Sequence, residues 1–171
     1  MSAGPDSGSQ AEGAEARRQL YAVLIALAGD TLLLPNVAVA EVVARHAVQP
    51  APQLPAWLAG ELDYDGRRLP VLRFERLNRG KADGDARRER VVIVHSHGRH
   101  LPSGQFALIT QAYPHLVTLS RAALQPLALR EGDRDELVLA RVRIANQEAL
   151  IPDLERIEAE IAGALAPATA T

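Results

Sequence analysis

Residues 48–72 read VQPAPQLPAWLAGELDYDGRRLPVL, and the fold is decided in this stretch. Pro50, Pro52 and Pro55 each fix φ and remove a backbone donor, so the segment can neither continue a helix nor form a central strand. It is a connector. Trp57 and Leu58 follow, and from Gly60 the run Glu61-Leu62-Asp63-Tyr64 alternates as a strand does. Asp65-Gly66 then stands between two β-like runs, a strong hairpin signal because Gly accepts positive φ without steric cost. The chain returns through Arg67, Arg68, Leu69, Pro70, Val71 and Leu72.

The rest of the chain extends the β pattern on both sides. Leu20 to Ala28 and Thr31 to Leu34 form a hairpin around Gly29-Asp30, and Arg17-Arg18 before this apolar run gives it the outline of a signal peptide. A buried strand is the better account, since nine residues cannot span a bilayer and the flanks are small, polar and acidic. Pro35 to Ala40 reads as a turn and Glu41 to Ala47 as a strand. Arg73 to Leu77 is expected to close one lobe, and the charged segment 79–90 to divide it from the next. Arg90 to Val94 is a β-branched run suited to a buried strand. Phe106 to Thr110 and Leu116 to Leu119 follow as strands, and Glu131 to Asp135 as a charged turn. From Leu137 to Ile144 one face is apolar while the other turns basic at Arg141 and Arg143. A turn at Asn146-Gln147 leads into Glu148 to Ile151. Pro152 suits the first turn of a helix, and Leu154, Ile157, Ile161 and Leu165 recur at helical spacing. The expectation is a mainly β chain of small barrels with a C-terminal α-helix. The domain covers 18–166, between flexible tails at 1–17 and 167–171.

Composition narrows the function. With 171 residues, 47% of them hydrophobic, the chain can bury a sizeable core. Nineteen basic residues against twenty-one acidic leave a net charge of −2, without the bulk footprint of a nucleic-acid or anionic-membrane binder. The absence of cysteine excludes disulfides and thiolate chemistry and fits a reducing compartment, with the cytoplasm as the expected location. No nucleophile elbow, P-loop or dinucleotide fingerprint is present, so an enzyme is disfavoured and no cofactor is expected. The alternative is a small metal-dependent hydrolase: His95 and His97 share a face of an extended strand, and a turn could bring in His100. The competing account of these histidines is a polar hairpin tip. A ligand-sensing barrel is a third reading.

The order P-x-P-x-x-P, aromatic, Gly, short strand, Gly-containing turn and Leu69-Pro70-Val71-Leu72 resembles the CheW-like domain of bacterial chemotaxis coupling proteins. Leu33-Leu34-Pro35 through Glu41-Val42-Val43 is similar to that family's first buried strand and its V-x-E-V-I step. The resemblance runs from about Leu20 to about Leu165. It implies two five-stranded, SH3-like barrels related by a pseudo-twofold axis. It also implies an adaptor that joins the cytoplasmic tip of a methyl-accepting chemoreceptor to the regulatory domain of a CheA-type histidine kinase. Carried over residue by residue, the partner site comprises Val39, Glu41 and Val43, then Gly60, Asp65, Gly66 and Arg67, with Tyr113 and Leu116 on the second barrel's side. Asp65 stands where the family's N-L-R-G turn has arginine, so it would repel Glu41 rather than pair with it. Either Arg67 or Arg68 takes the positive role, or the partners differ. This departure points to a divergent branch of the ChpC or PilI type, serving pilus-mediated motility.

Overall fold

The runs 22–25, 91–94 and 106–109 are apolar at every position, and each is buried on both of its faces. The computed structural model describes residues 14, 18–80 and 84–167, and the expected flexible tails lie almost entirely outside them. The chain begins with β1 (Gln19–Ala26), β2 (Thr31–Pro35), β3 (Val39–Ala44), β4 (Val48–Gln49), β5 (Leu58–Tyr64), β6 (Arg67–Leu72) and a short helix α1 (Phe74–Arg79). It then runs through β7 (Arg90–His95), β8 (Gln105–Thr110), β9 (His115–Ser120), β10 (Leu124–Leu127), β11 (Val138–Ile144), β12 (Gln147–Pro152) and α2 (Leu154–Leu165).

These strands form two curled six-stranded sheets, ordered β10-β11-β12-β2-β1-β9 and β3-β7-β8-β6-β5-β4. Each carries one strand more than the five implied by resemblance, with the short β4 and β10 included. The two orders become identical when β1 to β6 are matched to β7 to β12. Even the parallel pairings correspond, β12 with β2 and β6 with β8. The chain is thus two repeats, each ending in a helix, and each lends its opening hairpin to the sheet built by the other.

This exchange explains the continuous apolar runs. Val23 and Ile25 of β1 meet Val92 and Val94 of β7 in one core shared by both sheets, together with Phe74 and Leu77 of α1 and Ile157 and Ile161 of α2. The alternate residues face inward instead: Ala22 and Leu24 into the first barrel, Val91 and Ile93 into the second. A central strand covered on both sides has no polar phase.

The exchange also corrects the expected lobe boundary. The charged segment before β7 separates the two repeats, but β6 and β7 belong to the same sheet, so it does not separate the lobes. Arg73 to Leu77 is not a closing strand. Phe74 and Leu77 fall on one buried face of α1, and Gly80 ends the helix at φ 75°, donating its N–H to Arg76. Pro152 ends β12 rather than opening α2; the helix is capped by Asp153, whose side chain accepts from the Arg156 N–H at 3.0 Å. The last hairpin turns at Ala145-Asn146, with Ala145 at φ 52° and Gln147 already in β12.

Glu75 of α1 is 3% exposed, and neither carboxylate oxygen has a hydrogen-bond partner among the described residues. Burial pushes its carboxyl above the usual glutamate range. A raised carboxyl pKa makes ionisation costly in the folded state, so stability falls as pH rises from the ordinary glutamate value through the folded one. Glu75→Gln is therefore expected to melt higher than wild type at about pH 8 and to converge with it near pH ~4. Thermal melts across that range check it; parallel curves would mean that Glu75 has found a partner in solution.

Candidate functional site

β3 is the outer strand of its sheet, paired on one side only, with β7. A bulge between Val39 and Glu41 leaves Ala40 as the extra residue. Bulges re-aim side chains along an edge, and here Val39 and Val42 pack on the shared core, Ala40 and Val43 on the interior of the second barrel, while Glu41 stays exposed.

The β5–β6 turn brings a second group beside Glu41. Asp65 (φ 49°) and Gly66 (φ 73°) take consecutive left-handed conformations, the geometry of a tight primed hairpin turn. Asp65 accordingly serves the turn, since aspartate tolerates that region better than most residues. Tyr64, next to it, lies near Glu41; that carboxylate as an acceptor for the phenol, then burial and the charges of Glu41 and Asp65, raise the phenol above its usual range. Neither expected arginine forms an ion pair with Glu41 among the described residues. Arg67 reaches the Ser103 carbonyl at 3.3 Å, and Arg68 pairs with Glu61 at 3.2 Å. Glu41 has no ion pair among the described residues, and its neighbour is a phenol.

The remaining residues fall into different places. Gly60 is buried beneath the Gln49 backbone of β4 and belongs to the barrel wall. Tyr113 precedes β9 and is 62% exposed, with the Arg90 guanidinium 5.3 Å from its ring centroid. An open concavity of about 590 Å³ joins Tyr113 and Arg90 to Val42, Val43 and Arg45. The structure thus brings Tyr113 to β3 through a wall of arginines that the sequence reading did not foresee. Leu116 is 63% exposed on β9, the outer strand of the other sheet.

His95 ends β7, His97 and His100 lie on the β7–β8 loop, and all three are exposed. His95 Nδ1 lies 3.3 Å from the Gln105 amide, and the His100 backbone N–H is held by Glu158 at 2.8 Å. No three His, Cys, Asp or Glu residues form a metal-holding group among the described residues. Glu158 also takes the Leu101 N–H at 2.7 Å, so α2 pins this loop.

The profile of the CheW-like domain matches residues 22–161, nearly all of both repeats. The chain belongs to the CheW-like family. The backbone of this CheW-like chain is similar to that of the scaffolding protein TtCheW from Thermoanaerobacter tengcongensis, with a TM-score of 0.66 at 19% identity, over 80% of this chain and 85% of that one. At that identity the likeness concerns the fold. No curated protein matches the sequence significantly. Within the CheW-like fold, Tyr64 and Arg90 are the residues the sequence reading missed. Tyr64 had a signal of sorts, as the last strand residue before an Asp-Gly turn; Arg90 had none, because its proximity to Tyr113 depends on how β7 and the segment after β8 pass one another.

Proposed function

We propose that this CheW-like chain is a non-enzymatic cytoplasmic adaptor that joins the signalling tip of a chemoreceptor to the regulatory domain of a CheA-type histidine kinase. The observation that carries this reading is the edge strand β3, which presents exposed Glu41 beside the β5–β6 turn, at the positions the family resemblance assigns to partner contact. An edge strand offers unpaired backbone groups to a partner, and an exposed charge beside it selects which partner docks. The structural relative is described as a scaffolding protein, and scaffolding is the role carried over. No helix among the described residues is long and apolar enough to cross a membrane.

The turn supports assignment to a divergent, pilus-type branch. Where the family's arginine would neutralise the glutamate, this chain sets Tyr64 near Glu41 and leaves Asp65 exposed, a more acidic surface than that arginine would give. The partner is therefore expected to bring a cation to this spot.

Capture of the host's CheA-type kinases and chemoreceptors by the purified chain tests the reading. Glu41→Lys is expected to weaken capture by about tenfold or more, because reversing a charge opposite a partner cation replaces attraction with repulsion. Asp65→Arg is expected to change which receptor is captured. If wild type captures neither a kinase nor a receptor, the adaptor role is lost while the fold stands.

A further inference from the structure

The concavity between β3 and Tyr113 carries a charge that the Glu41 surface does not. Its wall includes Arg45, Arg87 and Arg90 together with His46, against the single carboxylate of Glu89. That carboxylate is already committed. Glu89 Oε2 takes Arg45 Nε at 2.9 Å and Oε1 takes Arg73 Nη1 at 2.6 Å from behind. Burial alone would push the Glu89 carboxyl up, but the two arginines outweigh it and hold it below the usual range. One carboxylate shared by two guanidiniums leaves positive charge over. Arg87 is exposed and has no ion pair among the described residues, and Arg90 spends its guanidinium on the Glu89 carbonyl and the Tyr113 ring, neither of which cancels a charge.

We infer that this concavity is a docking site for a carboxylate-rich segment of a partner protein, adjoining Glu41 on the same edge strand but opposite to it in charge. Three features favour a peptide over a free phosphate. The floor is aliphatic, made by Val42, Val43 and Ala44, and suits the methylenes of glutamate side chains. The guanidiniums come from three separate stretches, the turn after β3, the loop before β7 and β7 itself, around an open concavity rather than an enclosed pocket. The backbone beside them is the unpaired edge of β3, where an extended segment can add. Arg–carboxylate pairing supplies the charge-assisted hydrogen bonds. That the segment belongs to a protein partner rests on the adaptor reading; the charge of the site does not.

Fluorescently labelled hexaglutamate, titrated into the purified full chain, tests the proposal. Saturable binding is expected at about 20 mM salt and marked weakening at about 300 mM, since exposed charges are screened within a Debye length. Arg87→Glu is expected to reduce affinity about tenfold, and Arg90→Gln less, with melting temperatures confirming that both variants fold. Arg121 begins the matching 3-10 turn of the other repeat, is exposed and lies outside the concavity, so Arg121→Glu is expected to leave binding unchanged. Absence of saturable binding, equal losses in Arg87→Glu and Arg121→Glu, or displacement of the peptide by an equimolar amount of inorganic pyrophosphate would each overturn the proposal. Saturable peptide binding by a chain that captures neither a kinase nor a receptor would leave the peptide site standing and remove the adaptor reading, so the two fail separately.

Discussion

Arg141→Ala is expected to destabilise the chain by about 3–5 kcal/mol, the cost of leaving buried charges without their partner. Arg141 of β11 is fully buried and holds two carboxylates at once. Its Nε and Nη2 reach Asp133 at 2.5 and 2.8 Å, and its Nη1 and Nη2 reach Asp30 at 3.1 and 2.7 Å. The other oxygen lone pairs are satisfied by Asn78 Nδ2 and the Arg130 N–H on Asp133, and by the Thr31 N–H on Asp30. Asn78 in turn accepts the Arg134 N–H at 2.8 Å. One side chain therefore ties the β1–β2 turn, α1 and the loop before β11, joining both repeats where they exchange hairpins. For a domain of this size the loss corresponds to a fall in melting temperature of roughly 10 °C. Arg141→Lys should recover little, because an ammonium cannot form two bidentate pairs.

The pH dependence separates this account from a simple cavity. The hydrogen bonds from Arg141 hold the Asp133 carboxyl well below the usual range. Its contribution in wild type is thus fully present above the unfolded aspartate pKa and is lost as pH falls through the folded one. Without Arg141, Asp133 is a buried carboxylate that acid can neutralise, so the deficit of Arg141→Ala should shrink between about pH 7 and pH 4. Melts that show a constant deficit would assign the loss to packing alone.

Local chemistry in the sequence foretold the local structure well. The Gly29-Asp30 and Asp65-Gly66 turns, the apolar runs beside them and the helical spacing of Leu154, Ile157 and Ile161 all became the expected elements. Periodicity reports which faces are apolar, not which strand lies alongside, so the exchange of hairpins between repeats was out of reach; only the resemblance implied two related barrels. Arg141 was hidden for a similar reason. In a regular strand it shares a face with Leu139, but a bulge between Val138 and Ala140 breaks that phase, and the 131–135 segment, read only as a charged turn, supplies its buried partner. α1 spans fewer than two turns, too short for a period to show. At the candidate site the residues of β3 and the β5–β6 turn were legible by position, whereas the Glu41–Tyr64 proximity and the arginine wall arise from neighbours distant in sequence.

Gly60→Ala is expected to disrupt the second barrel, while Gly66→Ala, six residues on, should be tolerated. Both glycines have positive φ, 145° and 73°, so backbone strain alone does not distinguish them. Space does. A Cβ on Gly60 would stand 1.9 Å from the Gln49 carbonyl oxygen and 2.8 Å from its carbonyl carbon, whereas one on Gly66 meets nothing within 4 Å. The obstacle is the backbone of β4, which cannot swing aside as a side chain can. Relief requires β4 to leave β5, breaking the Val48–Leu62 and Gln49–Glu61 pairing and exposing Val48, which is 6% exposed. A clash of this kind belongs with the exceptional substitutions costing more than about 4 kcal/mol, against roughly 1–2 kcal/mol for alanine in an unobstructed left-handed turn. β4 follows β3 through the turn that carries Arg45, so its release also loosens the strand that presents Glu41. Loss of partner capture in Gly60→Ala should then accompany loss of folded protein, with amide exchange fastest in β4. Lost capture at an unchanged melting temperature would instead make Gly60 part of the contact surface itself, and would require β4 to move aside when a partner docks.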